Sequence, residues 1–235
     1  MAEPPPGVPR SRRERYREET REEAKSIALA QLAESGVAGV SVNAIAKRMG
    51  ITGPALYRYF GSRDDLLTAL IGDAYHDLAD AMEASVRDSA AQRPADRFRS
   101  LAMAFRGWAV RQPHRYQLLF GTPVPGYHAP EEMIAAAHRA MAALWEVLSA
   151  LPEPLPSGSG ELDAQLVAWG EDRWGETFPP GRLRRAVLTW TRWHGMISTE
   201  LAGHLRPMGI DPELLFRAEI DGTLAAEAGN RGETQ

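Results

Sequence analysis

The sequence predicts an all-α protein: a three-helix helix-turn-helix head followed by a larger C-terminal helical bundle. Three observations carry that prediction. Apolar residues recur at three- and four-residue intervals along most of the chain, and Pro and Gly interrupt these runs, while no alternating pattern of comparable length argues for a strand. Two short helical segments flank Gly50 with the size and cap residues of a helix-turn-helix. Finally, 235 residues with 44% hydrophobic content can bury one large core or two small ones.

The elements follow in order. Residues 1–11 are rich in Pro and predict a disordered tail. Arg12 to about Ser35 reads as one helix, with Gly36 where a C-cap belongs, and Val37 to Val40 form a short connection. Ser41 and Thr52 occupy N-cap positions for helices over 42–49 and 53–59. Pro54 falls in the first turn of the second, where a missing N–H costs nothing. Small Ala46 lets the two helices cross closely, Gly50 can take the left-handed conformation that ends the first, and Leu56 and Phe60 anchor the second in the core. Ser62 with Asp65 makes a capping-box-like start for a long helix carrying Leu66, Leu67, Leu70, Ile71, Leu78 and Met82.

Beyond it, helices are expected at about 94–111, 114–120, 130–150, 161–174, 182–205 and 212–227. The breaks fall at Pro94, Pro113, Pro123/Pro125, Pro152–Gly160, Pro179/Pro180 and Pro207. The Pro-, Ser- and Gly-rich stretch 152–160 reads as a loop. The domain division is therefore a head over 12–61, a bundle over 62–228, and tails at 1–11 and 229–235.

Charge is uneven along the chain. The net charge of −4 argues against a wholly basic protein, yet residues 1–65 hold 11 Lys and Arg against 9 Asp and Glu, leaving 16 against 22 for the rest. The basic end is the end with the paired helices. Cysteine is absent, which rules out disulfides and Cys-based zinc sites and fits a reducing compartment. No apolar run approaches a membrane span, and the N-terminus offers Pro and Arg instead of a signal-like stretch, so a cytoplasmic location is expected.

The run Ala46-x-x-x-Gly50-Ile51-x-x-x-x-Leu56-Tyr57-x-Tyr59-Phe60, continuing into Gly61-Ser-Arg-Asp-Asp-Leu-Leu67, resembles the TetR/AcrR-type bacterial regulators over roughly the first third of the chain. In the body, Phe105 to Phe120 and Trp193-His-Gly to Leu205 are similar to the C-terminal domain named for its Trp-His-Gly triplet. The resemblance implies a homodimeric transcription regulator, more often a repressor, whose recognition helices enter successive major grooves of a palindromic double-stranded DNA operator. It also implies that a small-molecule effector, of unknown identity, binds the helical body and changes their separation, and that helices 182–205 and 212–227 form the dimer interface.

Candidate DNA contacts follow from position. Thr52, Gly53, Pro54 and Ala55 are small, so the backbone can sit deep in a groove, with apolar contact to thymine methyls. Arg58 is a candidate for a guanine edge or phosphate, and Tyr57 and Tyr59 for phosphate oxygens, as the matching family positions imply. The alternative for both tyrosines is packing with one satisfied hydroxyl. Helix starts at Ser41/Val42 and at Ser62/Arg63 are expected phosphate clamps, with Lys47 and Arg48 flanking the groove. Arg10, Arg12, Arg13, Arg15 and Arg17 read either as an arm along the groove or, with interleaved Glu14, Glu18 and Glu19, as a solvated helix face.

Enzyme chemistry finds no support: there is no Gly-rich phosphate loop and no nucleophile elbow. No cofactor is called for. Glu200 and His204 stand four apart, as metal ligands can, without a second such pair, so a surface polar pair is the preferred reading and no metal is assigned. On helix 182–205 the stripe Leu183, Val187, Trp190, His194, Ile197 and Leu201 places a histidine on an apolar face. Two readings are open, a core histidine bonded to a neighbouring helix and a ligand contact. Trp108, Tyr116, Trp145 and His194 are the expected lining of an apolar effector cavity.

Overall fold

A computed structural model describes residues 11–122, 131–152 and 160–229, and no strand occurs among the described residues. The helices are α1 (Arg12–Ser35), α2 (Val42–Arg48), α3 (Gly53–Leu56), α4 (Arg63–Asp88), α5 (Pro94–Arg111), α6 (Pro113–Phe120), α7 (Glu131–Ser149), α8 (Gly160–Trp174), α9 (Pro180–Leu201) and α10 (Pro212–Gly229). Of the expected tails at 1–11 and 229–235, Ser11 caps α1 and Gly229 ends α10; the rest of both tails, Arg10 included, the break at Pro123/Pro125 and most of the 152–160 loop lie outside the described residues.

The caps explain the boundaries. Ser11 accepts from the Glu14 amide while Glu14 reaches back to the Ser11 amide, a capping box that starts α1. Ser41 Oγ accepts from Ala44 N, Thr52 Oγ1 from Ala55 N, and Ser62 Oγ from Asp65 N. Residues 12–19 are exposed along the first turns of α1, so Arg12, Arg13, Arg15 and Arg17 stand on a solvated helix.

Two elements differ from expectation. The second helix of the pair is regular only over Gly53–Leu56, not 53–59. Past Leu56 the chain tightens to three-residue hydrogen bonds, Arg58 N to Ala55 O at 3.4 Å and Tyr59 N to Leu56 O at 2.9 Å. The helix expected at 182–205 runs instead over Pro180–Leu201. Gly203, at φ +75°, turns the chain out of α9, and Arg206–Met208 follow as a single 3-10 turn.

Backbone contacts divide the chain into two units. One contains the described residues up to Ala74 and those of His114–Met133, and the other Tyr75–Pro113 and the residues from Ile134 onward. This division falls inside α4. In the first unit, Ala24, Ala28, Leu32, Val42, Ile45, Ala46, Leu56 and Phe60 are buried, the close-packed seam that the small residues allow. Lys25 on α1 pairs with Asp73 at 2.7 Å.

The second unit has an aromatic core. Trp193 of α9 is buried and meets Phe98 and Phe105 of α5 at ring distances of 5.5 and 6.1 Å, and Phe216 of α10 at 6.3 Å. The buried face of α9 is therefore Leu183, Ala186, Thr189, Trp193 and Ile197, rotated from the expected stripe. Trp190 and His194 lie on its flank. Arg106 ties the same three helices together, bidentate to Glu200 at 2.9 and 2.7 Å and bonded to Glu213 at 2.9 Å. Both Glu200 oxygens are thereby engaged by Arg106, and His204 is exposed. Buried Arg185 donates to Leu148 O at 3.1 Å and to Pro152 O, neutralising the carbonyl end of α7.

Candidate nucleic-acid interface and ligand cavity

The head places α2 and α3 with Gly50 between them at φ +70°, in open space where no side chain would clash. The glycine is there for conformation alone. At Gly53 a Cβ would meet Asn43 Oδ1 at 2.7 Å, so the missing side chain lets α3 approach α2. Gly53 thus has a packing role besides the groove contact expected of it.

The end of α3 separates core from surface within five residues. Leu56 and Phe60 are buried, whereas Tyr57 and Arg58 are exposed and Tyr59 is half-buried. Tyr57 is 42% exposed. Thr52 and Pro54 are exposed, Gly53 and Ala55 half-buried, and Ser41, Lys47 and Arg48 exposed. Lys47, Arg48 and Arg58 carry no ion pair among the described residues, which leaves their charge available to an anion. The Val42 side chain is core, so only its backbone could face a phosphate.

Arg63 is differently engaged. Its Nε donates to Val40 O at 3.0 Å and a terminal nitrogen to Val37 O at 2.5 Å, bracing the connection between α1 and α2. Arg21 went unnoticed in the sequence. It donates to the Tyr59 carbonyl from α1, and its guanidinium carbon lies 4.4 Å from the Phe60 ring centre. This brace over the end of α3 has no local signal, because its partners are 38 residues apart.

Each of the residues expected to line an effector cavity has described neighbours within its own unit. Trp108 is buried and its indole N–H donates to Asp77 at 2.9 Å. Tyr116 is buried in the first unit, packed on Phe120 at 5.2 Å. His194 sits edge-on to Trp190 at 4.3 Å and to Phe105 at 5.2 Å, and burial lowers its pKa to about 4, so it is neutral at physiological pH. Trp145 lines a cavity of about 410 Å³, with Met141, Ala142, Glu146, Ser149, Trp174 and Phe178.

The chain is similar to known proteins over both its head and its body. Residues 26–70 match the family model described as bacterial regulatory proteins, tetR family, and residues 98–223 that described as tetracyclin repressor-like, C-terminal domain. HTH-type transcriptional regulators of Mycobacterium tuberculosis and Mycobacterium bovis are 36% identical over 214 residues, covering 84% of this chain and 88% of theirs. The solved regulatory protein SCO4313 is 42% identical with a TM-score of 0.78, over 93% of this chain and 100% of its own. A protein from Rhodococcus sp. RHA1, 22% identical with a TM-score of 0.66 over 88% of this chain and 95% of its own, shares the fold. No described helix is long and apolar enough to cross a membrane. With a head model and a body model both matched in order, and relatives that span most of the chain, this protein belongs to the TetR family of DNA-binding transcriptional regulators.

Proposed function

We propose that the chain acts in the cytoplasm as a homodimeric repressor that holds a palindromic operator and releases it when a small-molecule effector binds the second unit. The observation that carries the reading is the exposed surface formed where buried Leu56 gives way to Tyr57 and Arg58, beside exposed Lys47 and Arg48. Arg58 is assigned to a guanine edge or phosphate, Tyr57 and Tyr59 to phosphate oxygens, and Lys47 to backbone charge. Thr52, Gly53, Pro54 and Ala55 allow close approach to the bases, and the Ser41/Val42 amides are assigned to a phosphate. Arg63 contributes charge from an anchored position. Dimerisation is assigned to α9 and α10, where exposed Leu188, Leu214 and Leu215 offer apolar surface.

Selection from random duplexes tests the reading. The expected outcome is a palindrome with half-site centres about one helical turn, 10–10.5 base pairs, or a multiple of it apart. In that site Arg58→Ala relaxes one base position at a cost of roughly 1–3 kcal/mol. Recovery of no symmetric site, or a monomer in sedimentation, refutes it.

A further inference from the structure

The cavity of about 410 Å³ at Trp145 is built differently from the packed aromatic core beside it. The Phe178 ring stands edge-on to Trp145 at 4.8 Å and 74°, and to Trp174 at 5.6 Å and 83°. Trp174 is itself held edge-on to Trp169 at 4.9 Å. The walls are thus large rings with few torsions, each wedged by another, and they stay apart without collapsing.

The connection between α8 and α9 is shaped to place Phe178. Gly175, at φ +69°, turns the chain at the end of α8, and Thr177 Oγ1 donates to Glu171 Oε1 at 2.7 Å. At Gly170 a Cβ would lie 3.6 Å from Phe178 and 3.3 Å from Leu183, so the absent side chain gives the loop its seat against α8. A volume of this size lies within the range of small-molecule sites.

The polarity of the lining selects the occupant. Its one carboxylate, Glu146, accepts from Arg97 at 2.7 Å, so no uncompensated charge is presented there. Ser149 adds a single hydroxyl. We infer that this cleft binds a neutral, mainly apolar small molecule with at least one flat ring, which stacks or packs against Trp145, Trp174 and Phe178. As the effector's seat, the cleft rests on the ligand-responsive regulator proposed above; as a binding site, it stands independently of DNA.

Titration of the full-length protein with N-phenyl-1-naphthylamine, a neutral fluorophore carrying a naphthyl and a phenyl group, tests it without DNA, so its failure is distinct from a failure of operator selection. Saturable binding is expected, weakened about tenfold or more by Phe178→Ala and by Ala142→Trp. Ala142 is an exposed position on the cleft wall where a larger side chain fills space without disturbing the core. Met208→Ala, at an exposed apolar position outside the cleft, should bind as wild type does. Absence of saturable binding to the wild type, or equal affinity in Phe178→Ala and Ala142→Trp, overturns the site. Equal or tighter cleft-dependent binding of 8-anilinonaphthalene-1-sulfonate overturns the assignment of a neutral ligand.

Discussion

His194 illustrates how far one side chain's environment departs from its sequence context. It lies between Phe105 and Trp190, and burial depresses its pKa to about 4. An unfolded histidine titrates near 6.5, so between these values the unfolded chain binds the extra proton. The stabilising effect of a neutral His194 is therefore complete above about pH 6.5 and is lost as pH falls towards 4, by at most about 3 kcal/mol. Urea unfolding at pH 7 and pH 4.5 should show a smaller pH dependence in His194→Gln than in wild type. An unchanged dependence would mean that the ring is solvated. Arg106 is the opposite case, a charge kept within the fold because Glu200 and Glu213 occupy its fork.

At the scale of elements, the head depends on a few backbone decisions. Gly50 ends α2 with a left-handed residue in open space, so a methyl group there meets no neighbour and acts only through conformation. Gly50→Ala should destabilise the protein by about 1–2 kcal/mol, read as a lowered midpoint in thermal unfolding, and Gly50→Asn by less. A neutral Gly50→Ala would show that the turn can relax to another geometry. The recognition element itself is short, and what holds its trailing turn is Arg21, which binds the Tyr59 carbonyl and covers Phe60 from another helix.

The molecule as a whole carries a net negative charge, so its attraction to DNA must come from local cations and not from the average field. Lys47, Arg48 and Arg58 have the exposure to supply it. The logarithm of operator affinity should fall linearly with the logarithm of salt concentration. Lys47→Ala should weaken all sequences nearly equally and reduce the magnitude of that slope by about 1. A slope unchanged by Lys47→Ala, measured by fluorescence anisotropy across salt concentrations, would remove it from the interface.

Taken by itself, the sequence determined what depends on neighbours within a turn or two: the helical spacing, the caps at Ser41, Thr52 and Ser62, the left-handed Gly50, and the burial of Leu56 and Phe60 beside exposed Tyr57. The family pattern was legible for the same reason, since it is a continuous run of the chain. Tertiary structure alone decided which side of α9 faces inward, because apolar residues on that helix support more than one stripe, and packing against Phe98, Phe105 and Phe216 chose Trp193. It also decided that Arg63 bonds to carbonyls 23 and 26 residues away, that Trp145 lines a cavity, and that the Trp108 indole bonds to Asp77. Such outcomes depend on residues brought together from distant parts of the chain, and side-chain geometry of that kind leaves no periodicity to read.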